Sequence, residues 1–396
     1  MNGQTHRQAN VTELIGARPT GDVRLISLAL FDFVARHVTA SNRVPAHAGD
    51  QHTGIIFAVS GGADSLALVV AGADVALRAG VPFAVGIVDH QMRTDSGGEA
   101  QEVKTRLEAL GIRGVHVLTP SHPQRDGGPE DFARELRHRA LEDFALRFAK
   151  EHDLSRVVIL YGHTLDDQAE TVLMRLGRGA SIKALAAMRP YTELPERSGS
   201  DVALSRGRPL LQLRRENTEG FCVQLGLAWE EDPTNEQWGP WRTRDGAPLP
   251  RAALRHQVLP ALGVALGQDP APALARIAAL AAEDEDALNR YASDAFNECV
   301  EVREEGAEVV VDVRAFAEHP KAVRSRVLGS AWTHLAGREQ QKAAELSSKH
   351  VEALDSLAIA HVSSETHPVG KTLMLPGGAL GRRSRNHLTL STGGGA

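Results

Sequence analysis

Residues 55–65 read Ile55-Ile56-Phe57-Ala58-Val59-Ser60-Gly61-Gly62-Ala63-Asp64-Ser65. A short apolar run leads directly into Ser-Gly-Gly, and an apolar, helix-forming stretch from Ala63 to Leu77 follows. This pattern predicts a buried strand, a tight turn and a helix. Two glycines let the backbone turn sharply enough for successive N–H groups and the helix N-terminus to point at one anion, and the Ser60 and Ser65 hydroxyls add donors. Asp64 is then placed to hold Mg2+ on bound phosphates. This turn lacks the lysine that the Gly-Lys-Ser/Thr of the kinase and GTPase loop needs, so it is a different phosphate loop. An ordinary strand-to-helix turn is the alternative, and the flanking strand and helix count against it.

Outward from this stretch the pattern alternates. A helix from Val23 to His37 precedes it. After it come a strand Phe83 to Val88, a helix Gly98 to Leu110, a strand Val115 to Leu118, a helix Pro129 to Glu151 and a strand Val157 to Tyr161. Such alternation predicts a parallel sheet with helices on both faces. In open parallel sheets ligands bind beyond the carboxyl ends of the strands, so the residues after Val59, Val88 and Tyr161 are site candidates.

After Val88 the chain reads Asp89-His90-Gln91-Met92-Arg93. A lone histidine is more often structural, but Asp89, His90 and Arg93 together at a strand's end point to function, with Arg93 or His90 stabilising charge that grows on phosphates. After Tyr161 comes Gly162-His163-Thr164-Leu165-Asp166-Asp167-Gln168-Ala169-Glu170-Thr171. His163, Asp167 and Glu170 recur at intervals of four and three and therefore share one helix face toward the crevice. Helix capping by Asp166 or Asp167 is the competing explanation.

Past Thr171 the alternation weakens. A helix continues to Leu176, a Pro/Ser/Gly-rich stretch runs from Pro190 to Gly207, and Pro209 to Leu213 reads as a last strand. The expected organisation is a loose tail over 1–22, a sheet domain over 23–214, a helical domain over 215–300 and a small C-terminal α+β domain over 301–396. That last domain includes Val309 to Val313, a helix Ala322 to Leu335, and a hairpin-like pairing of Lys371 to Leu375 with Leu388 to Leu390.

With 396 residues and 42% apolar side chains, the chain has material for more than one core. Cys222 and Cys299 are the two cysteines and lie far apart, which excludes a disulfide framework or a four-thiolate zinc site within one chain and fits a reducing cytoplasm. No apolar run is long enough to span a bilayer, and Met1 to Asp22 carries no apolar signal core, so no membrane partner is expected. The net charge of −6 argues mildly against nucleic acid. Three local basic clusters argue the other way: Arg206, Arg208, Arg214 and Arg215; Arg242, Arg244, Arg251 and Arg255; and Arg382, Arg383 and Arg385.

Ser60 to Ser65 carries the pyrophosphate-loop signature of the N-type ATP pyrophosphatases. Together with Val88 to Arg93 and Gly162 to Thr171, in this order and spacing, it resembles the signature segments of tRNA(Ile)-lysidine synthetases. Further segments fit that family: Ala133-Arg134-Glu135-Leu136-Arg137, Arg208-Pro209-Leu210-Leu211, and Asp232-Pro233-Thr234-Asn235 followed by Arg251, Arg255 and Leu259-Pro260. The resemblance covers about residues 23–300. The chain departs from the family at His138, where an aromatic residue is usual, and at Arg251-Ala252, where Arg-Asn is usual.

The resemblance implies an α/β fold: a parallel-sheet PP-loop (adenine nucleotide alpha hydrolase-like) domain, a helical domain and a C-terminal α+β domain. It implies ATP and Mg2+ as cofactors, free lysine and a tRNA(Ile) with a CAU anticodon as partners, and a homodimer. By the same resemblance, Ser60, Gly61, Gly62, Ala63, Asp64, Ser65, His90, Arg93 and His163 bind the nucleotide, with Asp64 carrying Mg2+. Asp64, Asp167, Glu170 and Arg134 act in catalysis, the two later carboxylates holding the lysine ammonium. Arg137, Arg208, Arg251 and Arg255 contact the tRNA. Trp229, Trp238 and Trp241 are available for base stacking or, more simply, for packing a seam.

Two rivals belong to other classes. A tRNA thiolase of the same superfamily would use the same adenylation, but it generally needs paired thiols, and no Cys-x-x-Cys is present. A tRNA-binding module with a vestigial loop would have no need for intact Asp64, Asp167 and Glu170.

Overall fold

Strands that are apolar at nearly every position, instead of at every second one, have to be covered on both faces. Strand β1 (Thr53–Val59) is buried at all positions but Ala58, and β4 (Arg156–Tyr161) at all but its first residue. The computed structural model describes residues 10–39, 52–89, 96–120, 129–179, 181–197, 199–231, 236, 239, 242–243, 245–303, 307–336, 346–360 and 370–392. The chain divides into two compact units, Met1–Leu280 and Ala281–Ala396.

The first unit is built on a six-stranded sheet. Its remaining strands are β2 (Phe83–Val88), β3 (Val115–Leu118), β5 (Tyr191–Glu193) and β6 (Ala203–Gly207), in the order β3-β2-β1-β4-β6-β5. All neighbours are parallel except β5 with β6. From β1 the chain moves outward through β2 to β3, then returns to lay β4 on the other side of β1. The topological switch point therefore falls between β1 and β4, where Ala58 is level with Tyr161. The segments after these two strands, Ser60 to Ser65 and Gly162 to Glu170, meet there.

Helix α1 (Val11–Ile15), α2 (Gly21–Val34), α3 (Ala63–Ala79) and α4 (Ser96–Ala109) precede α5 (Pro129–Glu151), α6 (Leu165–Gly177), α7 (Ile182–Leu185) and α8 (Arg215–Gln224). One core joins α1, α2, α3 and α8 to the sheet through Ile26, Leu30, Phe57, Leu68 and Phe221. A second packs α5 on the sheet through Ile56, Leu141, Phe144 and Ile159. Each large apolar side chain so buried contributes about 1.5–3 kcal/mol. Short helix α9 (Pro250–Ala253), a π turn at Leu254–Val258 and α10 (Leu259–Leu266) follow, then α11 (Ala271–Cys299), within which the boundary between the units falls.

The second unit has a five-stranded antiparallel sheet ordered β7-β8-β11-β10-β9, formed by β7 (Val300–Arg303), β8 (Glu308–Asp312), β9 (Thr372–Met374), β10 (Leu380–Arg383) and β11 (His387–Ser391). Helices α12 (Val313–Glu318), α13 (Lys321–Ala336) and α14 (Ser348–Ile359) complete it, around Phe316, Val327, Leu354 and Leu388. Among the described residues no helix is long and apolar enough to cross a membrane.

Several local expectations are corrected. Residues 10–22 are not a loose tail: Asn10 caps α1, whose Val11 and Ile15 are buried in the main core. One turn of helix is too short for periodicity to reveal. Pro209 to Leu213 is a turn and not a strand, closed by Leu213 N–H donating to Leu210 O at 2.9 Å. A proline cannot donate to a ladder, and the last parallel strand is β6, inside the stretch that composition assigns to a loop. Residues 215–224 belong to the first unit, since α8 packs in its main core. In the second unit β10 lies between β9 and β11, so 371–375 and 388–390 are not hairpin partners. Arg383 is only 1% exposed, so the third basic cluster is not one solvated face.

Candidate active site

The phosphate loop is tied by its own serines. Ser65 Oγ–H donates to Gly62 O at 2.9 Å and accepts from Ser60 N–H at 3.2 Å, which draws the turn closed under the N-terminus of α3. Ser60 is exposed at the mouth, while Ser65 is buried and faces the turn itself. Gly61 has φ +92°, and a Cβ there would stand 2.9 Å from Val103 Cγ2, so both conformation and space require glycine. Glu230 N–H donates to Gly61 O at 3.1 Å, and the Glu230 carboxylate pairs with Arg106 of α4 at 2.9 Å. At the switch point Gly162 passes so close to α3 that a Cβ would lie 2.7 Å from Asp64 O.

Asp64, Asp167 and Glu170 converge on two arginines. Arg215 Nε donates to Asp64 Oδ2 at 3.2 Å and its Nη2 to Asp167 Oδ1 at 2.9 Å. Arg255 Nε donates to Glu170 Oε1 at 2.7 Å, with its Nη2 3.8 Å from Asp167 Oδ1. Thr218 Oγ–H donates to Asp64 Oδ1. Glu170 Oε2 is buried and has no hydrogen-bond partner among the described residues. Asp167 also caps α6, its Oδ2 accepting from Thr164 N–H at 2.8 Å and Oγ–H at 3.0 Å. Asp166 turns away to Arg214 and the Arg215 N–H. Asp167 therefore caps the helix with one oxygen and meets Arg215 with the other.

The environment drives the acids apart. Burial pushes Glu170 above the usual carboxylate range against the opposing pull of Arg255. Burial also acts to raise Asp167, but Arg215, the Thr164 N–H and Arg255 outweigh it and hold that carboxyl below its ordinary value. Asp64 is raised by burial, with Arg215 opposing. His163 is pushed down to about 3 by burial, against the nearby Asp167, so its ring is neutral.

Most of the residues picked from sequence gather here. The loop from Ser60 to Ser65, His163, Asp167 and Glu170 sit at the switch point, and Arg255 joins them through the carboxylates. Arg208 is buried at the end of β6, its Nη1 donating to Arg189 O at 2.7 Å. The charges of Arg134, Arg208 and Arg251 all bear on His163. Arg137 lies with Arg134 near His138, one turn along α5. Trp229 packs against the main core. His90, Arg93, Asp232 to Asn235, Trp238, Trp241 and Arg244 lie outside the described residues. Sequence reading passed over Arg215 and Thr218 as site residues; the only signal was the Arg214-Arg215 pair at the start of a helix.

A PP-loop domain family matches residues 35–262, more than half of the chain. A tRNA(Ile)-lysidine synthase of Salinispora arenicola is 40% identical over 303 residues, covering 76% of this chain and 82% of the relative. The chain belongs to the tRNA(Ile)-lysidine synthase family. The lysidine synthase of Leifsonia xyli is 35% identical, with 82% and 85% covered, and that of Streptomyces coelicolor 34%, with 86% and 85%. A lysidine synthase of the PP-loop class uses ATP, and the loop, helix N-terminus and Asp64 make a fitting cradle for its phosphates. Among the described residues no three acidic, histidine or cysteine side chains form a metal cluster. Were Mg2+ to arrive with the phosphates, Asp64 at the start of α3 would be the carboxylate placed to hold it, in exchange for its contacts with Arg215 and Thr218.

Proposed function

We propose that this lysidine synthase joins free lysine to C2 of the wobble cytidine of tRNA(Ile) with a CAU anticodon, in the cytoplasm, through an adenylated base. The carrying observation is the buried, unpartnered Glu170 Oε2 within the carboxylate cluster. Three carboxylates converge there on Arg215 and Arg255, and one oxygen remains open for a single ammonium.

ATP supplies the AMP group that turns the C2 oxygen into a leaving group, and Mg2+, if held by Asp64, would neutralise charge on its phosphates. The cytosine O2 attacks the α-phosphorus and diphosphate leaves into the Ser60 to Ser65 loop. The lysine amine then attacks C2, the C2–O bond breaks, and AMP departs. An ammonium cannot attack, so its proton must be taken. Glu170, raised by burial, is the acceptor, and Asp167, held ionised by Arg215, is the fixed anion that keeps the amine in place. Arg134 and the buried Arg208 bear on the adenylated intermediate, while Arg137 and Arg251 face the RNA.

The test is incubation with ATP, labelled lysine and tRNA. Label enters RNA only when the wobble base is cytosine; label that enters no RNA overturns the reading.

A further inference from the structure

A cavity of about 340 Å3 opens on the α5 side of the sheet, the face opposite the phosphate-loop helix, lined by Arg134, Glu135, His138, Arg139, Glu142 and Arg206. Most of its charge is matched internally: Arg139 pairs with Glu135 at 2.5 Å and Arg206 with Glu142 at 2.6 Å. His138 is different. Its Nδ1 lies 3.0 Å from the hydroxyl of Tyr161, the last residue of β4, and the two rings meet edge to face at 5.4 Å. Tyr161 in turn stacks on His163, with ring centroids 5.8 Å apart. An aromatic ladder thus runs from the cavity to the residue beside Asp167.

The hydrogen bond fixes the tautomer of His138. Burial and the cations Arg206, Arg134 and Arg137 push the imidazole down to about 3, so it is neutral. Tyr161 is buried and pushed up to about 12, so its hydroxyl keeps its proton. Among the described residues that hydroxyl has one partner, His138 Nδ1. Were Nδ1 protonated, the buried Tyr161 proton would have no acceptor, which costs about 1–3 kcal/mol. Tyr161 therefore donates to Nδ1, and the proton of His138 resides on Nε2. That atom has no partner among the described residues and is not sealed in, so it is a free donor at the cavity wall.

We infer that His138 is a specificity-determining residue whose uncharged Nε2–H donates to a carbonyl oxygen of an RNA base entering this cavity. This rests on the reading of tRNA as substrate. A neutral donor suits a neutral carbonyl, whereas a phosphate is answered better by the arginines alongside. The donor is constant in strength across physiological pH, since neither His138 nor Tyr161 titrates there; the charged groups that face it are Glu135, Glu142, Arg134, Arg137, Arg139 and Arg206.

The experiment compares lysine incorporation by the full-length enzyme with His138→Phe, His138→Gln and the double variant His138→Phe/Tyr161→Phe. The double variant removes both hydrogen-bond partners and leaves no orphaned hydroxyl, so it separates a structural loss from a lost contact with RNA. Expected are a rise in KM for tRNA of about tenfold in both Phe variants, larger than any fall in kcat, and partial recovery with Gln, which keeps an N–H. The dependence of kcat/KM on salt keeps its wild-type slope, because a base contact releases no counterions. Full recovery in the double variant makes His138 merely the partner of Tyr161 and overturns the inference. A changed salt slope points to a phosphate and overturns it equally. A wild-type enzyme that transfers no lysine to any tRNA defeats the underlying reading instead, so the two failures are distinct.

Discussion

Arg255 holds one oxygen of Glu170 at 2.7 Å, and the other lies buried with no partner among the described residues. A buried acceptor without a donor is costly, about 1–3 kcal/mol, and a fold retains it where a ligand will supply the donor. The first prediction follows directly. Glu170→Gln keeps shape but removes the proton acceptor, so diphosphate release persists while lysine transfer falls by about 10²-fold or more. Separate assays of diphosphate and of lysine incorporation check this, and parallel loss of both refutes the division of labour.

The raised Glu170 gives a signed pH dependence. Lysine transfer needs this carboxylate ionised, so the rate climbs as pH rises through its folded value, which lies above the ordinary 4.5. In stability the sign for Asp167 is opposite to that of a raised acid. Its folded value lies below 3.8, so its contribution is complete above that ordinary value and is lost as acid takes the pH down through the folded one. Urea titrations from pH 6 to pH 2 on the wild type and Asp167→Asn should converge at the acid end; curves that stay parallel count against it.

Arg215→Ala leaves Asp64 and Asp167 facing each other without their shared cation. Breaking such a partly buried network costs about 3 kcal/mol, visible as a lower urea midpoint, and ATP turnover falls with it. Arg215→Lys cannot span both acids with two separate N–H groups and should rescue poorly. A lysine variant indistinguishable from wild type would show that the bridging geometry is unimportant.

Gly162→Ala places a methyl 2.7 Å from the Asp64 carbonyl, where backbone must move. Overpacking of this kind costs about 1–3 kcal/mol, and here it shifts the phosphate loop itself. Weaker ATP binding by calorimetry is the expected reading, and unchanged affinity contradicts the close approach.

Val11→Ala tests whether the segment before α2 belongs to the core. Val11 is 1% exposed, so the change should lower stability by about 1–2 kcal/mol, measured as a shift in thermal midpoint. No shift would make α1 an ornament.

Much of this architecture is legible in the chain. The run into Ser60-Gly61-Gly62 and the alternation around it give the parallel sheet, because each signal lies within a dozen neighbouring residues. The spacing of His163, Asp167 and Glu170 likewise gives their shared face. What is not legible is pairing across the fold: Arg215 stands 151 positions from Asp64 and Arg255 85 from Glu170, distances over which no periodicity acts. Strand β6 is hidden for another reason. Its Ser205 and Gly207 are small and polar-looking, yet both are buried, and Gly207 is covered by Phe33 of α2 and Leu160 of β4.

The bond from the Glu230 N–H to the Gly61 carbonyl ties the phosphate loop to the stretch of chain that leads into Asp232 to Asn235. A carbonyl held from outside reports on whatever holds it. If a nucleotide in the loop and an RNA beside Glu230 both act on this bond, each changes the affinity for the other by the same factor, since linkage between two ligands runs equally in both directions.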